Sequence, residues 1–186
     1  MQGPELRGKI ITLKPRRATD EYAITYTRHF YDPEVTKLLG SHKTVPTLEQ
    51  EINYLEESAL DESSIHWAIH FEGNCVGSVS IEDIDWMLRR CSIGIFIGET
   101  RLWRRGLASD AFQCVLEHVF DEYPFDVIQS AYAEGNEGSK ALQASKGFVE
   151  VGISSNSHFS GGEFRAFVLT ELHREDWQDH KSKHPA

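Results

Sequence analysis

Arg101, Arg104 and Arg105 stand just before Gly106, at the junction of two segments with different hydrophobic periods. Ile93 to Ile97 is a β-branched run bounded by Gly98, which reads as a strand. From Leu107 on, Ala108, Ala111, Phe112, Val115, Leu116 and Val119 recur on the apolar face of a helix, with Asp110, Gln113, Glu117 and His118 opposite. A strand, a basic glycine turn and a helix start have the makeup of an anion site. The first N–H groups of the helix lack internal partners, the dipole favours negative charge, and guanidinium groups add to both. A solvated basic loop is the plainer reading of the same residues.

Other residues invite chemical readings. Glu82, Asp83 and Asp85 form an acidic loop with Trp86 and Met87. His66 and His70 share one face of a strand with Ala68 between them, roughly 13 Å apart, too far for a metal pair, and no third ligand is evident. Sheet histidines that satisfy their own hydrogen bonds, or one lining a pocket, are the readings that remain. Cys75, Cys91 and Cys114 are odd in number and lack metal-ligand spacing, so reduced thiols filling the core are expected.

These groups need a scaffold, and 186 residues suit one domain (1–186, core about 8–177, polar tail 178–186). Lys9 to Leu13 reads as a strand ended by Pro15. Thr19-Asp20 caps a helix through about Phe30, broken by Asp32-Pro33, and Val35 to Leu39 makes a helical turn before Gly40. Pro46-Thr47 opens another helix, with Thr47 and Gln50 at capping-box spacing and Ile52, Leu55 and Ala59 as its buried stripe. Ile65 to Phe71 and Cys75 to Ile81 form a hairpin around Glu72-Gly73-Asn74. Tyr123-Pro124 ends the central helix, and Val127 to Ala133 is a further strand. Asn136 to Lys146 is a short helix with Ala141, Leu142 and Ser145 on one side and Gly147 as its end. Phe148 to Ile153 and Phe164 to Leu172 form a last antiparallel pair around Ser160-Gly161-Gly162, and a polar tail starts at Asp176-Trp177 and frays from Lys181. The irregular alternation predicts an α/β (α+β) fold, one mixed sheet with helices on both faces.

The net charge of −10 argues against a nucleic-acid partner and mildly favours a cationic or amine one. No apolar run approaches the ~20 residues of a membrane span, and MQGPELRGK lacks a signal-peptide core, so a cytoplasmic protein is expected.

The order of elements resembles the GNAT family of acetyl-CoA-dependent N-acetyltransferases. Trp103 to Ala111 (WRRGLASDA) is similar to the family's acetyl-CoA loop, with Gly106 and Ala108 on its two small positions. Trp103 replaces the usual Gln or Arg, a departure shared with the ribosomal-protein N-terminal acetyltransferase (RimJ/RimL-like) branch, whose first loop glycine is here Arg104. Asn136 followed by Ser139, and Gly147-Phe148 eleven residues after the asparagine, resemble the second motif. IGIFIGE (Ile93 to Glu99) resembles the strand before the loop, and REDW (Arg174 to Trp177) the end of that branch.

The resemblance implies a GNAT fold with a mostly antiparallel sheet, splayed at the cofactor site. It places the pyrophosphate of acetyl-CoA on the backbone of Arg104, Arg105, Gly106, Leu107, Ala108 and Ser109. The pantothenate arm lies along Phe96, Ile97 and Gly98, and is also held by Asn136, unless that residue only caps its helix. An amide near Ile97 faces the thioester oxygen. The family's acidic tyrosine, seven residues after the asparagine, is here Gln143, so Ser139 becomes the candidate proton donor to the CoA thiolate, a helix-start serine being its plainer role. The family's glutamate before Ile-Gly is here Ser92, which leaves Glu82 and Asp83, ahead of Asp85 and Glu99, as candidate bases. Trp86, Tyr22 and Tyr26 are placed where an acceptor pocket is expected, though packing explains them equally. The expected activity is acetyl transfer to a primary amine, a protein N-terminus or a small molecule, in a ternary complex. The same fold as a non-catalytic acetyl-CoA-binding module is the alternative. No metal is expected; a homodimer is.

Overall fold

Alternation along the strands sorts this chain onto two faces of one sheet. The computed structural model describes residues 1–39, 45–160 and 163–183, the side chains of 156, 158–160 and 163 set aside. The strands are β1 (Leu6–Arg7), β2 (Thr12–Pro15), β3 (Ile65–Phe71), β4 (Asn74–Asp85), β5 (Arg90–Ile97), β6 (Val127–Ala133), β7 (Val149–Ser160) and β8 (Glu163–His173). The helices are α1 (Asp20–Phe30), α2 (Pro33–Thr36), α3 (Leu48–Leu60), α4 (Leu107–Glu122), α5 (Glu137–Ala144) and α6 (Arg174–Lys183). The sheet runs β1-β2-β3-β4-β5-β6-β8-β7 and is antiparallel except between β5 and β6. Trp67, Ile69, Val79, Ile81 and Ile93 pack on one face with Ala111, Phe112, Val115 and Leu116 of α4. Ala68, Cys75 and Phe96 pack on the other with Tyr22, Tyr26 and Phe30 of α1 and Leu55 of α3.

Local signals account for most helix starts. Thr19 accepts from the Tyr22 N–H, Asp32 from that of Glu34, and the Thr47–Gln50 capping box closes in both directions. The three cysteines are free, and burial pushes the Cys91 thiol to about 12 and that of Cys114 to about 11. Among the described residues no helix is long and apolar enough to cross a membrane.

Several expectations are corrected. Lys9 to Ile11 are not strand but the turn between β1 and β2. Their N–H groups donate to the Asp110 carboxylate on α4 at 3.0, 2.8 and 3.2 Å, a partner a hundred residues away. Glu82 and Asp85 belong to β4 rather than a loop; the strand bulges at Asp83 (φ 52°), and Asp85 caps the turn by accepting from Met87 and Leu88. β5 begins at Arg90, three residues earlier than expected. On α5 the buried residue is Gln143, while Ala141 and Ser145 are exposed. Gly40, Gly161-Gly162 and residues 184–186, with the Phe159 side chain, lie outside the described residues.

The expected polar tail is in fact helix α6. Trp177 is 1% exposed and stacks between Phe120 and His180, each ring about 6 Å away. Arg174 donates to the carbonyls of Phe120, Tyr123 and Phe125 at 2.5, 2.6 and 2.8 Å, filling acceptors at the end of α4 and in the turn that follows it. Trp177→Ala should therefore cost about 3–5 kcal/mol in urea unfolding. A loss below ~1 kcal/mol would mean that α6 is not part of the cooperative unit.

Candidate active site

The site begins where two strands part. β5 and β6 pair in parallel only at Arg90–Val127, Cys91–Ile128 and Ser92–Gln129. Beyond that, β5 stays with β4 while β6 stays with β8 up to Ala133. The Gly98 N–H donates to Val76 of β4 at 2.8 Å. Because backbone groups alternate sides along a ladder, the N–H and C=O of Ile93, Ile95 and Ile97 turn the other way, into the gap. Two of those carbonyls are taken: Ser130 Oγ donates to Ile93 at 2.9 Å, and the Trp103 indole N–H to Ile97 at 2.9 Å. The Ile97 amide and both polar groups of Ile95 are left facing the opening. Of the three residues expected along this edge, only Ile97 turns its N–H to it. The Phe96 and Gly98 N–H groups face β4, and a side chain on Gly98 would run into the His29 ring.

Parallel strands place the helices that follow them at the same end of the sheet, so α4 and α5 both open at the mouth of the gap. Arg104 (φ 61°) and Gly106 (φ 85°) adopt left-handed backbone, and Gly106 caps α4 without a side-chain bond. No described protein acceptor takes the N–H groups of Arg104, Arg105, Gly106, Leu107, Ala108 or Ser109; the first helical bond runs from Asp110 to Gly106. Arg101 pairs with Glu99, the Arg105 guanidinium lies 5.1 Å over the Phe71 ring, and Arg104 is exposed. Six free N–H groups and an unengaged guanidinium make a cradle suited to a phosphate.

On α5, Asn136 caps the helix: its Oδ1 accepts from the Ser139 N–H at 3.1 Å. Ser139 Oγ accepts from Gln143 Nε2 at 3.1 Å. Asn136 and Ser139 thus stand together at the top of β6, across the opening from the start of α4.

The carboxylates lie elsewhere. Glu82 pairs across the ladder with Ser92, at the foot of the gap, and accepts from Ser80 Oγ at 2.8 Å. Ile97 is five residues farther along β5, roughly 16 Å away. Asp83 borders a cleft of about 690 Å³ at that foot, with Asp85, Trp86, Arg90, Ser92 and Gln129. Trp86 is thus a wall of this lower cleft, stacked on Phe125. Tyr22 and Tyr26 pack α1 onto the sheet, bonded to His70 Nε2 at 3.1 Å and to the Gly77 carbonyl at 3.4 Å. His66 Nε2 meets Ser64 Oγ at 3.0 Å. Burial, with Arg28 adding, holds the His29 imidazole down at about 4. Burial, with Arg16 adding, holds that of His66 at about 3.

Sequence reasoning missed Ile95, the Trp103 indole and Gln143. Strand alternation could have found Ile95; the other two depend on tertiary contacts.

The family described as acetyltransferase (GNAT) domain matches residues 11–149. YdaF of Bacillus subtilis (strain 168), named as a ribosomal N-acetyltransferase, is 24% identical over 121 residues, which span 65% of this chain and 66%, just under two thirds, of YdaF. A spermidine N-acetyltransferase from Vibrio cholerae, in complex with CoA and spermine, superposes with a TM-score of 0.81 at 15% identity, covering 90% of this chain and 98% of that one. RimJ of Mycobacterium smegmatis, in complex with CoA-disulfide, gives 0.78 at 20% identity, covering 96% and 82%. At such identities these two structures speak for the fold.

The buried imidazoles set a pH dependence. The His29 pKa is depressed, so its contribution to stability is present above its unfolded value of ~6.5 and is lost as pH falls toward 4. Thermal melts should shift downward over that window, and less so in His29→Asn than in the parent. Equal slopes in the two proteins would place the acid sensitivity elsewhere.

Proposed function

The chain belongs to the acetyltransferase (GNAT) family, and from that premise we propose that it transfers the acetyl group of acetyl-CoA to a primary amine by direct attack in a ternary complex. The observation that carries the reading is the partly open edge of β5, whose Ile95 and Ile97 N–H groups face the gap between two helix starts. The N–H groups of Arg104 to Ser109 take the pyrophosphate, with Arg104 adding a charge-assisted contact. Entering from the mouth, the pantetheine arm adds to β5 as a short strand, an amide carbonyl of the arm accepting from the Ile97 N–H. Deeper in the gap, two residues before Ile97, the Ile95 N–H points at the thioester oxygen and stabilises the negative charge that forms there.

The amine must lose a proton before its lone pair attacks, since an alkyl ammonium has a pKa near ~10. Glu82, paired with Ser92 and so roughly 10 Å from Ile95, is too far to take that proton directly. It acts through water, and its charge at the foot of the gap favours a cationic substrate. As the C–N bond forms and the C–S bond breaks, the departing thiolate takes a proton from Ser139, and the serine oxygen is reprotonated, through water, by the proton that the attacking nitrogen sheds as it becomes a neutral amide. The acceptor class is a protein N-terminus or a small-molecule amine. The YdaF name supports the first and the spermidine enzyme the second, and a net charge of −10 suits either cation.

Acetyl-CoA and CoA should raise the melting temperature, whereas NAD and ATP should not, and thiol release should follow the addition of an amine. Binding without release on any amine would favour a non-catalytic module, and no shift with either CoA species would sink the proposal. Ser139→Ala should lower turnover about tenfold or more with acetyl-CoA affinity nearly intact. Lost affinity in that variant would mark the serine as structural. Arg104→Ala should weaken acetyl-CoA binding, more at low salt than at high. A salt-independent effect would remove Arg104 from the phosphates.

A further inference from the structure

The hydroxyl read above as the proton donor is held by a side chain that carries no acid of its own. Gln143 is 3% exposed, one helical turn beyond Ser139 on the same face of α5. Its amide orientation is determined by its neighbours. The Ala131 carbonyl, 3.3 Å from the amide nitrogen, can only accept, so the NH₂ end must face it. The second amide hydrogen then goes to Ser139 Oγ at 3.1 Å. The amide oxygen is left to Thr170 on β8, itself 3% exposed, whose hydroxyl donates to it at 2.6 Å. Every bond in this chain runs one way, from Thr170 to Gln143 to Ser139. Ser139 Oγ is an acceptor within it, and no described protein group accepts the Ser139 proton.

We infer that Gln143 is a positioning residue that turns the Ser139 hydroxyl proton toward the gap. The inference rests on the proposed role of Ser139 in acetyl transfer. A serine at the start of a free helix commonly donates to a nearby backbone carbonyl. Here the donated hydrogen bond from Gln143 occupies a lone pair of the oxygen and fixes its rotor, so the proton is offered outward. The position where the family's tyrosine would protonate the thiolate itself is thereby used to aim the hydroxyl one turn earlier. Thr170 sets the amide from behind, which extends the arrangement from α5 to the sheet.

The test is a double-mutant cycle on the full chain, with turnover and acetyl-CoA affinity measured separately. Gln143→Met keeps the volume and removes the amide hydrogens. It should lower kcat about tenfold while acetyl-CoA affinity stays within about twofold. Ser139→Ala with Gln143→Met should be no slower than Ser139→Ala alone, because Gln143 acts only through that hydroxyl. If the two losses multiply, or if Gln143→Met turns over as fast as the parent, the positioning role is overturned. Should Gln143→Met fail to fold, Thr170→Val takes its place in the same cycle with the same criteria. A parent protein that binds acetyl-CoA but acetylates no amine would overturn the proposed function itself. A parent that turns over, with Ser139→Ala equally fast, would overturn only the assignment built on the serine.

Discussion

Three parallel residue pairs between β5 and β6 carry the join between the two halves of the sheet, and everything at the site follows from where they stop. Before Ser92 and Gln129 the backbone groups of both strands satisfy each other. After them each strand keeps only its outer neighbour, and the inner edge of β5 must find other partners or remain open. Buried backbone groups without partners are costly, so an open edge persists only where water or a ligand can reach it. The seam is therefore both the last structural contact and the first element of the binding site.

Around that seam, rigidity is supplied from a distance. α4 is tied at its start, where Asp110 gathers three N–H groups of the β1–β2 turn, and at its end, where Arg174 gathers three carbonyls. Its first turn carries the free N–H groups, so both anchors serve to keep them aimed. α5 is shorter and is held through its side chains: Asn136 at its cap and Gln143 reaching to β6 and β8. The two helix starts that flank the gap are thus fixed by independent means.

How much of this was legible in the sequence depended on the range of the interaction. The β-branched run of Ile93 to Ile97 and the apolar stripe of α4 are local patterns, and both elements were readable with their junction at Gly106. Capping boxes and turn glycines are equally local, which is why α1, α3 and the β3–β4 hairpin were found. Lys9 to Ile11 were not, because their hydrogen bonds go to Asp110, and no window of the chain contains both. Trp177 looked like part of a polar tail because one tryptophan among charges gives little amphipathic signal, although it alone is enough to dock α6. Gln143 was set aside as unable to act as an acid, which is true of its chemistry. Its contacts with Ala131 and Thr170, invisible in one dimension, are what give it a place at the site.

The same bookkeeping of backbone groups bears on how the protein avoids its own kind. An unpaired strand edge is ordinarily a template for further strands and so a route to aggregation. The inner edge of β5 is a poor one. Of its three outward carbonyls, those of Ile93 and Ile97 are already occupied by Ser130 and Trp103, leaving a pattern of donors interrupted by one acceptor at Ile95. A foreign peptide strand, which offers donor and acceptor in strict alternation, cannot satisfy that pattern beyond a single residue. A short chain with one amide and one lone carbonyl can. The tryptophan that stands where the family usually has glutamine or arginine thus acts as a stop, limiting the ladder on this edge to a single amide of an added chain.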